Sequence, residues 1–203
     1  MNKLDLKKQF ATLYHPSAKE ISIVDVPEMN FLMIDGKGDP NTSEEYAQAL
    51  AALYSLAYTI KFKVKKGKHP VDYAVMPLEG LWWVDDMRTF SDKDKSTWKW
   101  TMMIAQPVFV SAELVEDARA EAAKKKNPPA LSKVRLDVYH EGRAAQILFI
   151  GPYSAEGPTI ARIHAHIAQS GGDRRGKHHE IYLNDPRKTA PERLKSVLRQ
   201  PFV

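Results

Sequence analysis

The run His178-His179-Glu180-Ile181-Tyr182-Leu183 sets two imidazoles, a carboxylate and a phenol side by side. Its alternation reads as a strand, with His179, Ile181 and Leu183 on one face and His178, Glu180 and Tyr182 on the other. Two chemistries are open to Glu180. On the solvent side of an edge strand it is an ordinary surface carboxylate. At the floor of an aromatic pocket, desolvation raises its pKa and makes it a general base or a counter-charge for a cation. Walls for such a pocket are close by in sequence: all four tryptophans, Trp82, Trp83, Trp98 and Trp100, fall in one stretch. Strand alternation turns Trp82 and Trp83 to opposite faces and puts Trp98 and Trp100 on one. Each indole is either a core residue or a surface on which a flat apolar molecule stacks.

Other chemistries lack their parts. The chain has no cysteine, which excludes thiol catalysis, a disulfide framework and thiolate metal sites. Seven histidines are present, but His164 and His166 diverge on a helix and His178 and His179 diverge on a strand. There is no H-E-x-x-H, P-loop, dinucleotide fingerprint or G-x-S-x-G elbow, so no metal and no cofactor are expected. Asp35-Gly36-Lys37-Gly38-Asp39-Pro40 has glycines without the residues that would make it a phosphate loop, and reads as a turn.

At 203 residues, 43% hydrophobic and 27% charged, the chain has the balance of a globular protein that buries its core without staples. Thirty Lys and Arg against 25 Asp and Glu leave +5. The basic residues gather at Lys61–Lys68 and at Arg174, Arg175, Lys177, Arg187 and Lys188, which read as solvated helix ends and loops rather than a nucleic-acid surface. No apolar run approaches the roughly 20 residues that cross a bilayer. Charges fill Met1–Lys8, where a signal peptide carries its apolar segment. A cytoplasmic protein with no membrane partner is expected.

The elements that must position these groups are legible as an α+β pattern. Asn30–Ile34 is a strand. Thr42 and Glu45 form a capping box that opens a helix with Tyr46, Leu50, Leu53, Ala57 and Ile60 on its inner face. Tyr73–Val84 is a strand interrupted at Pro77 and Gly80, and a polar loop from Asp85 to Ser96 leads to a strand over Thr97–Ile104. Ser111 caps a helix that Asn127-Pro128-Pro129 ends. Val134–Tyr139 and Ala144–Ile150 read as strands joined through Glu141-Gly142, followed by a helix entered at Gly157-Pro158 with Ile160, Ile163, His164 and Ile167 inward. His178–Leu183 is a further strand. Thr189-Ala190-Pro191-Glu192 is a second capping box, opening a C-terminal helix with Leu194, Val197 and Leu198 inward.

Pro77-Leu78-Glu79-Gly80-Leu81-Trp82-Trp83, the run from His178 to Lys188 and Pro191-Glu192-Arg193-Leu194-Lys195 resemble the stand-alone GyrI-like small-molecule-binding proteins. The resemblance runs from about Lys19 to the C-terminus. It implies a single domain over 1–203, with modules at about 20–110 and 131–203 and a linking helix at 111–127. Each module is a strand-helix-strand-strand unit of one antiparallel sheet with helices on one face. A pseudo-twofold relates the modules, with a ligand cleft between them. Relatives of that fold are effector domains of drug-responsive transcription regulators, in which a buried acid meets cationic drugs. A stand-alone subfamily is similar to cyclopropanoid cyclopropyl hydrolases, which open the cyclopropane of DNA-alkylating natural products within an aromatic cage. Glu180 matches the central acid, and Glu79, Trp82, Trp83, Trp98 and Trp100 are the ligand-contact candidates. No helix-turn-helix segment is read ahead of the domain, which points away from a regulator.

The expected function is therefore xenobiotic binding, with cyclopropane hydrolysis as the more specific form. The partner is a flat aromatic or cationic small molecule, which stacks on Trp82, Trp83 or Trp100. Glu180 orients or deprotonates the attacking water, and Tyr73 or Tyr182 hydrogen-bonds the carbonyl that gains charge. Two rivals stand beside this reading: a binding module that sequesters its ligand, and a protein inhibitor of a nucleic-acid enzyme that uses the basic surface. Oligomeric state has no signature in the sequence.

Overall fold

A computed structural model describes residues 2–87 and 94–203. The elements in chain order are β1 (Asn2–Leu4), α1 (Leu6–Gln9), α2 (Ala11–Tyr14), β2 (Ser22–Lys37), α3 (Glu44–Lys66), β3 (Val71–Tyr73), β4 (Leu78–Trp83), β5 (Lys99–Gln106), α4 (Ala112–Lys125), β6 (Arg135–Ile150), α5 (Gly157–Gln169), β7 (His178–Tyr182) and β8 (Lys195–Pro201). The chain is α+β. Apart from the short β3, strand-helix-strand-strand runs twice, as β2-α3-β4-β5 and β6-α5-β7-β8. The loop read over Asp85–Ser96 lies in part, at 88–93, outside the described residues.

The chain divides into two compact units: Met1–Gln9, Met29–Met76 and Lys95–Tyr139 form the first, and Phe10–Glu28, Pro77–Asp94 and His140–Val203 the second. In the first, β2 pairs antiparallel with β5 from Asn30↔Gln106 to Lys37↔Lys99, and β1 pairs parallel with β3. Helix α3 packs on β5 and β3, and α4 packs on α3. The α3 face buries Ala49, Ala52, Leu53, Leu56, Ala57 and Ile60. Ser43 caps this helix, accepting from the Tyr46 N–H at 3.2 Å, one residue later than the Thr42 expected. Thr42 is taken up in the preceding turn, where the Asp39 carbonyl accepts from the Thr42 and Ser43 N–H groups. Ser111 caps α4 as expected.

In the second unit, β4, β7, β8 and β6 form an antiparallel sheet in that order. Ile163 and Ile167 of α5 pack on Ala145, Ile147, Leu198 and Phe202. Two expectations fail here. Glu141-Gly142 does not join two strands, because β6 runs straight through. Gly142 supplies only one left-handed residue (φ +68°), whereas a tight hairpin between strands takes a pair of turn residues. The C-terminal helix is instead β8, after a single 3-10 turn at Pro191–Arg193. Val197 and Leu198 are buried in either conformation. In a strand with both faces covered, adjacent apolar residues bury to opposite sides and imitate helical spacing. Pairing to β6 on one edge and β7 on the other overrides the local capping signal.

The Gly36 of the turn-like run lies inside β2, opposite Trp100 of β5. Trp100 is wholly buried and makes an edge contact with Tyr46, ring centroids 5.3 Å apart. A Cβ on Gly36 would lie 2.1 Å from Trp100 Cη2. Gly36→Ala is therefore expected to lower stability by about 1–3 kcal/mol through overpacking. Urea unfolding followed by tryptophan emission checks this, and an unchanged midpoint would show that Gly36 is not held by the indole.

Candidate functional site

Register places Gln146 of β6, Arg199 of β8, His179 of β7 and Leu81 of β4 in one row across the second unit's sheet. On this face lies a continuous buried polar network. His179, 1% exposed, has Nδ1 at 2.9 Å from Glu141 Oε2 and Nε2 at 3.0 Å from Glu79 Oε2. The Tyr14 hydroxyl donates to the other oxygen of Glu79 at 2.7 Å. Arg199 donates from Nη1 to Glu141 at 3.0 Å, from Nε to Gln146 at 2.9 Å and from Nη2 to the Leu13 carbonyl at 3.0 Å. Gln146 in turn donates to the Thr12 carbonyl at 2.7 Å. Helix α2 is thereby fastened to the sheet by its own backbone as well as by Tyr14.

Burial pushes the His179 imidazole down, but the Glu141 charge and hydrogen bonds to both carboxylates outweigh it and lift the pKa to about 9. Burial likewise pushes Glu141 up, and His179 and Arg199 more than reverse it, to about 2. The Tyr14 phenol is raised well above its usual value by burial and then by Glu79. At neutral pH His179 is thus an imidazolium that donates from both nitrogens.

The other face of the same strands carries Glu180. Gly80 opposes it on β4, and Trp82 opposes His178. Glu180 is 9% exposed and accepts from the Tyr182 hydroxyl at 2.6 Å. Trp82 Nε1 donates to that same hydroxyl at 3.1 Å. Tyr153 meets the Tyr182 ring edge-on, centroids 5.5 Å apart. Trp82 is buried, Tyr182 half-buried and Tyr153 exposed, so the group passes from floor to rim. The strand is internal rather than an edge, and the solvent-facing reading of Glu180 does not hold. A carboxylate so held beside an indole and a phenol can orient a polar group or take a proton.

The candidates divide as follows. Glu180, Tyr182 and Trp82 come together. Glu79 lies on the opposite face, as a member of the His179 network. Trp83 is half-buried, with Lys177 Nζ 3.4 Å from the centre of its ring. Trp98, Trp100 and Tyr73 belong to the first unit. There Lys95 lies over Trp98 at 4.8 Å, Trp100 covers Gly36, and the buried Tyr73 hydroxyl has no hydrogen-bond partner among the described residues. Burial raises the Tyr73 phenol well above its usual value. Sequence reasoning missed Tyr14, Glu141, Gln146 and Arg199. The signal for two of them was present: a polar residue inside an apolar run, in Ala144-Ala145-Gln146-Ile147 and Val197-Leu198-Arg199. A surface groove of about 400 Å³ lined by Phe62, Lys63, Lys66, Glu121 and Lys125 offers little chemistry, since Glu121 already pairs with Lys63 and Lys125.

The network predicts two pH limits on stability. His179, raised above its unfolded value of 6.5, stabilises fully below that pH, and the contribution fades as pH rises through about 9. Glu141, depressed from 4.5, stabilises above that pH, and the contribution fades toward about 2. His179→Ala leaves two buried carboxylates without the cation between them and should cost about 3–5 kcal/mol. Melting temperatures across pH, for the native chain and this variant, check both statements. A variant that keeps the native alkaline limb would remove His179 as its cause.

Among the described residues no helix is long and apolar enough to cross a membrane. No curated protein matches the chain. Among solved structures, an uncharacterized conserved protein from Listeria innocua is 42% identical over 98% of this chain and 100% of its own, with a TM-score of 0.91. A hydrolase from the same organism is 41% identical over the full length of both chains, with a TM-score of 0.90. A further structure described as a Listeria innocua hydrolase is 40% identical over 98% of this chain and 100% of its own, with a TM-score of 0.86. Residues 19–201 match the GyrI-like small molecule binding domain. The chain belongs to the GyrI-like family of small-molecule-binding domains.

Proposed function

We propose that the second unit binds a flat aromatic molecule beside Trp82 and Tyr182 and hydrolyses a strained cyclopropane in it, with Glu180 as general base. Such an activity would detoxify DNA-alkylating cyclopropanoids in the cytoplasm. The observation that carries the reading is the chain of donors Trp82 Nε1 to Tyr182 Oη to Glu180 Oε2, which fixes a carboxylate on a rigid strand opposite a residue with no side chain. The 40% and 41% identity to two proteins described as hydrolases supports it.

The chemistry asks little of the protein. A water oxygen bonds to the cyclopropane methylene while the bond from that methylene to the spiro carbon breaks. The released electron pair runs into the dienone and leaves a phenolate. Glu180 takes the proton of the water, and the phenolate oxygen takes one from solvent. Relief of ring strain and gain of aromaticity drive the step, so positioning the water against the methylene supplies the catalysis, with the Tyr182 hydroxyl donating to Glu180 and holding it in place.

The test uses the parent spirocyclopropyl cyclohexadienone, which opens to a hydroxyethylphenol with a change in absorbance. The native protein should turn over many equivalents. Glu180→Gln should reduce the rate by about 10²–10⁴-fold while leaving affinity for the phenol product nearly intact. Protection that saturates at one equivalent of protein would identify sequestration instead, and Glu180→Gln with native turnover would remove Glu180 from the reaction.

A further inference from the structure

His178 is the buried titratable group that neither the network nor the proposed reaction uses. It is 2% exposed, and among the described residues neither ring nitrogen makes a hydrogen bond. A buried imidazole in that state costs free energy unless the site has a use for it. Its Nε2 lies 3.4 Å from Glu180 Oε1, while the Tyr182 hydroxyl holds Oε2 at 2.6 Å. The residues two before and two after the acid on one strand thus address its two oxygens from opposite sides. Trp82 faces His178 from β4 and Gln200 lies beside it on β8, its amide donating to the Arg175 and Pro201 carbonyls. His164 faces it from α5, its Nδ1 at 3.0 Å from Arg174. Burial, and then Arg174 and His178, lower His164 to about 4, so at neutral pH it presents no positive charge to His178.

We infer that His178 is a positioning residue for Glu180: its Nε2–H closes by a few tenths of an ångström onto Oε1 when ligand enters, so that the carboxylate is clamped between an imidazole and a phenol. The clamp fixes the direction in which the carboxylate meets a bound water.

The inference rests on Glu180 being the working acid, and it is tested in two arms, one of which needs no turnover. In the first, the imidazole nitrogens are followed by NMR across pH. Glu180→Gln should shift the His178 Nε2 resonance while leaving those of His164 nearly unmoved. An unmoved His178 resonance would overturn the clamp whether or not the protein is a hydrolase. In the second, ring opening of the spirocyclopropyl dienone is measured with two variants. His178→Leu, which keeps bulk and removes the donor, should lose about 10–100-fold in turnover and shift the acid limb of the pH profile upward. His178→Gln, whose amide can donate from nearly the same place, should restore the native limb. Equal losses in both variants, with the limb in its native place, would mark His178 as packing only. A native protein without turnover would defeat the hydrolase reading and leave the NMR arm to decide the clamp.

Discussion

The imidazolium of His179, held between Glu79 and Glu141, is the constraint from which the second unit is built. Two carboxylates buried side by side are tolerable only with cations among them, and here His179 and Arg199 match them formally one for one. The contacts are also directional. His179 spans from β4 to β6 through its two ring nitrogens, and Arg199 continues the span from β8 to β6 and to the backbone of α2. A purely apolar layer would accept a strand slipped by one residue with modest loss. This layer would not, because a slip of one residue turns every member to the wrong face.

That fixity has a consequence for the opposite face. Glu180 follows His179 directly, and Gly80 follows Glu79. Locking one alternation of β4 and β7 therefore sets the other, on which Trp82, Glu180 and Tyr182 stand. The backs of these strands are rigid because they are charged and satisfied. Their fronts can then hold aromatic and acidic groups in place without relying on loops. Leu198, paired with Glu180 on β8, belongs to the apolar cluster under α5, so the acid lies at the border between core and site.

How much of this was legible follows the same physics. Strands and helices whose patterns are local, such as α3, α4 and α5, could be read from periodicity and caps. The strand around Glu180 and its two faces were legible too, because alternation is a local property. What escaped was set by pairing at long range. The C-terminal run reads as a helix until β6 and β7 are placed on either side of it. Glu79, read as a ligand contact, is claimed by Tyr14 and His179, residues 65 and 100 positions away. Glu141 looked like a turn residue beside a glycine, and only the tertiary structure shows it to be buried between His179 and Arg199.

The division of acids between the two faces also explains why three carboxylates in one sheet need not compete for one role. A general base must hold a proton with useful affinity near the working pH. Glu141, drawn down to about 2 by a guanidinium and an imidazolium, is too weakly basic to take one from water. Glu79 receives a phenol and that same imidazolium, and both of its oxygens are engaged in holding α2 and β7. Glu180 accepts from the hydroxyl of Tyr182 at one oxygen, and His178 Nε2 lies 3.4 Å from the other. The sheet makes that separation with adjacent residues, His179 facing one way and Glu180 the other.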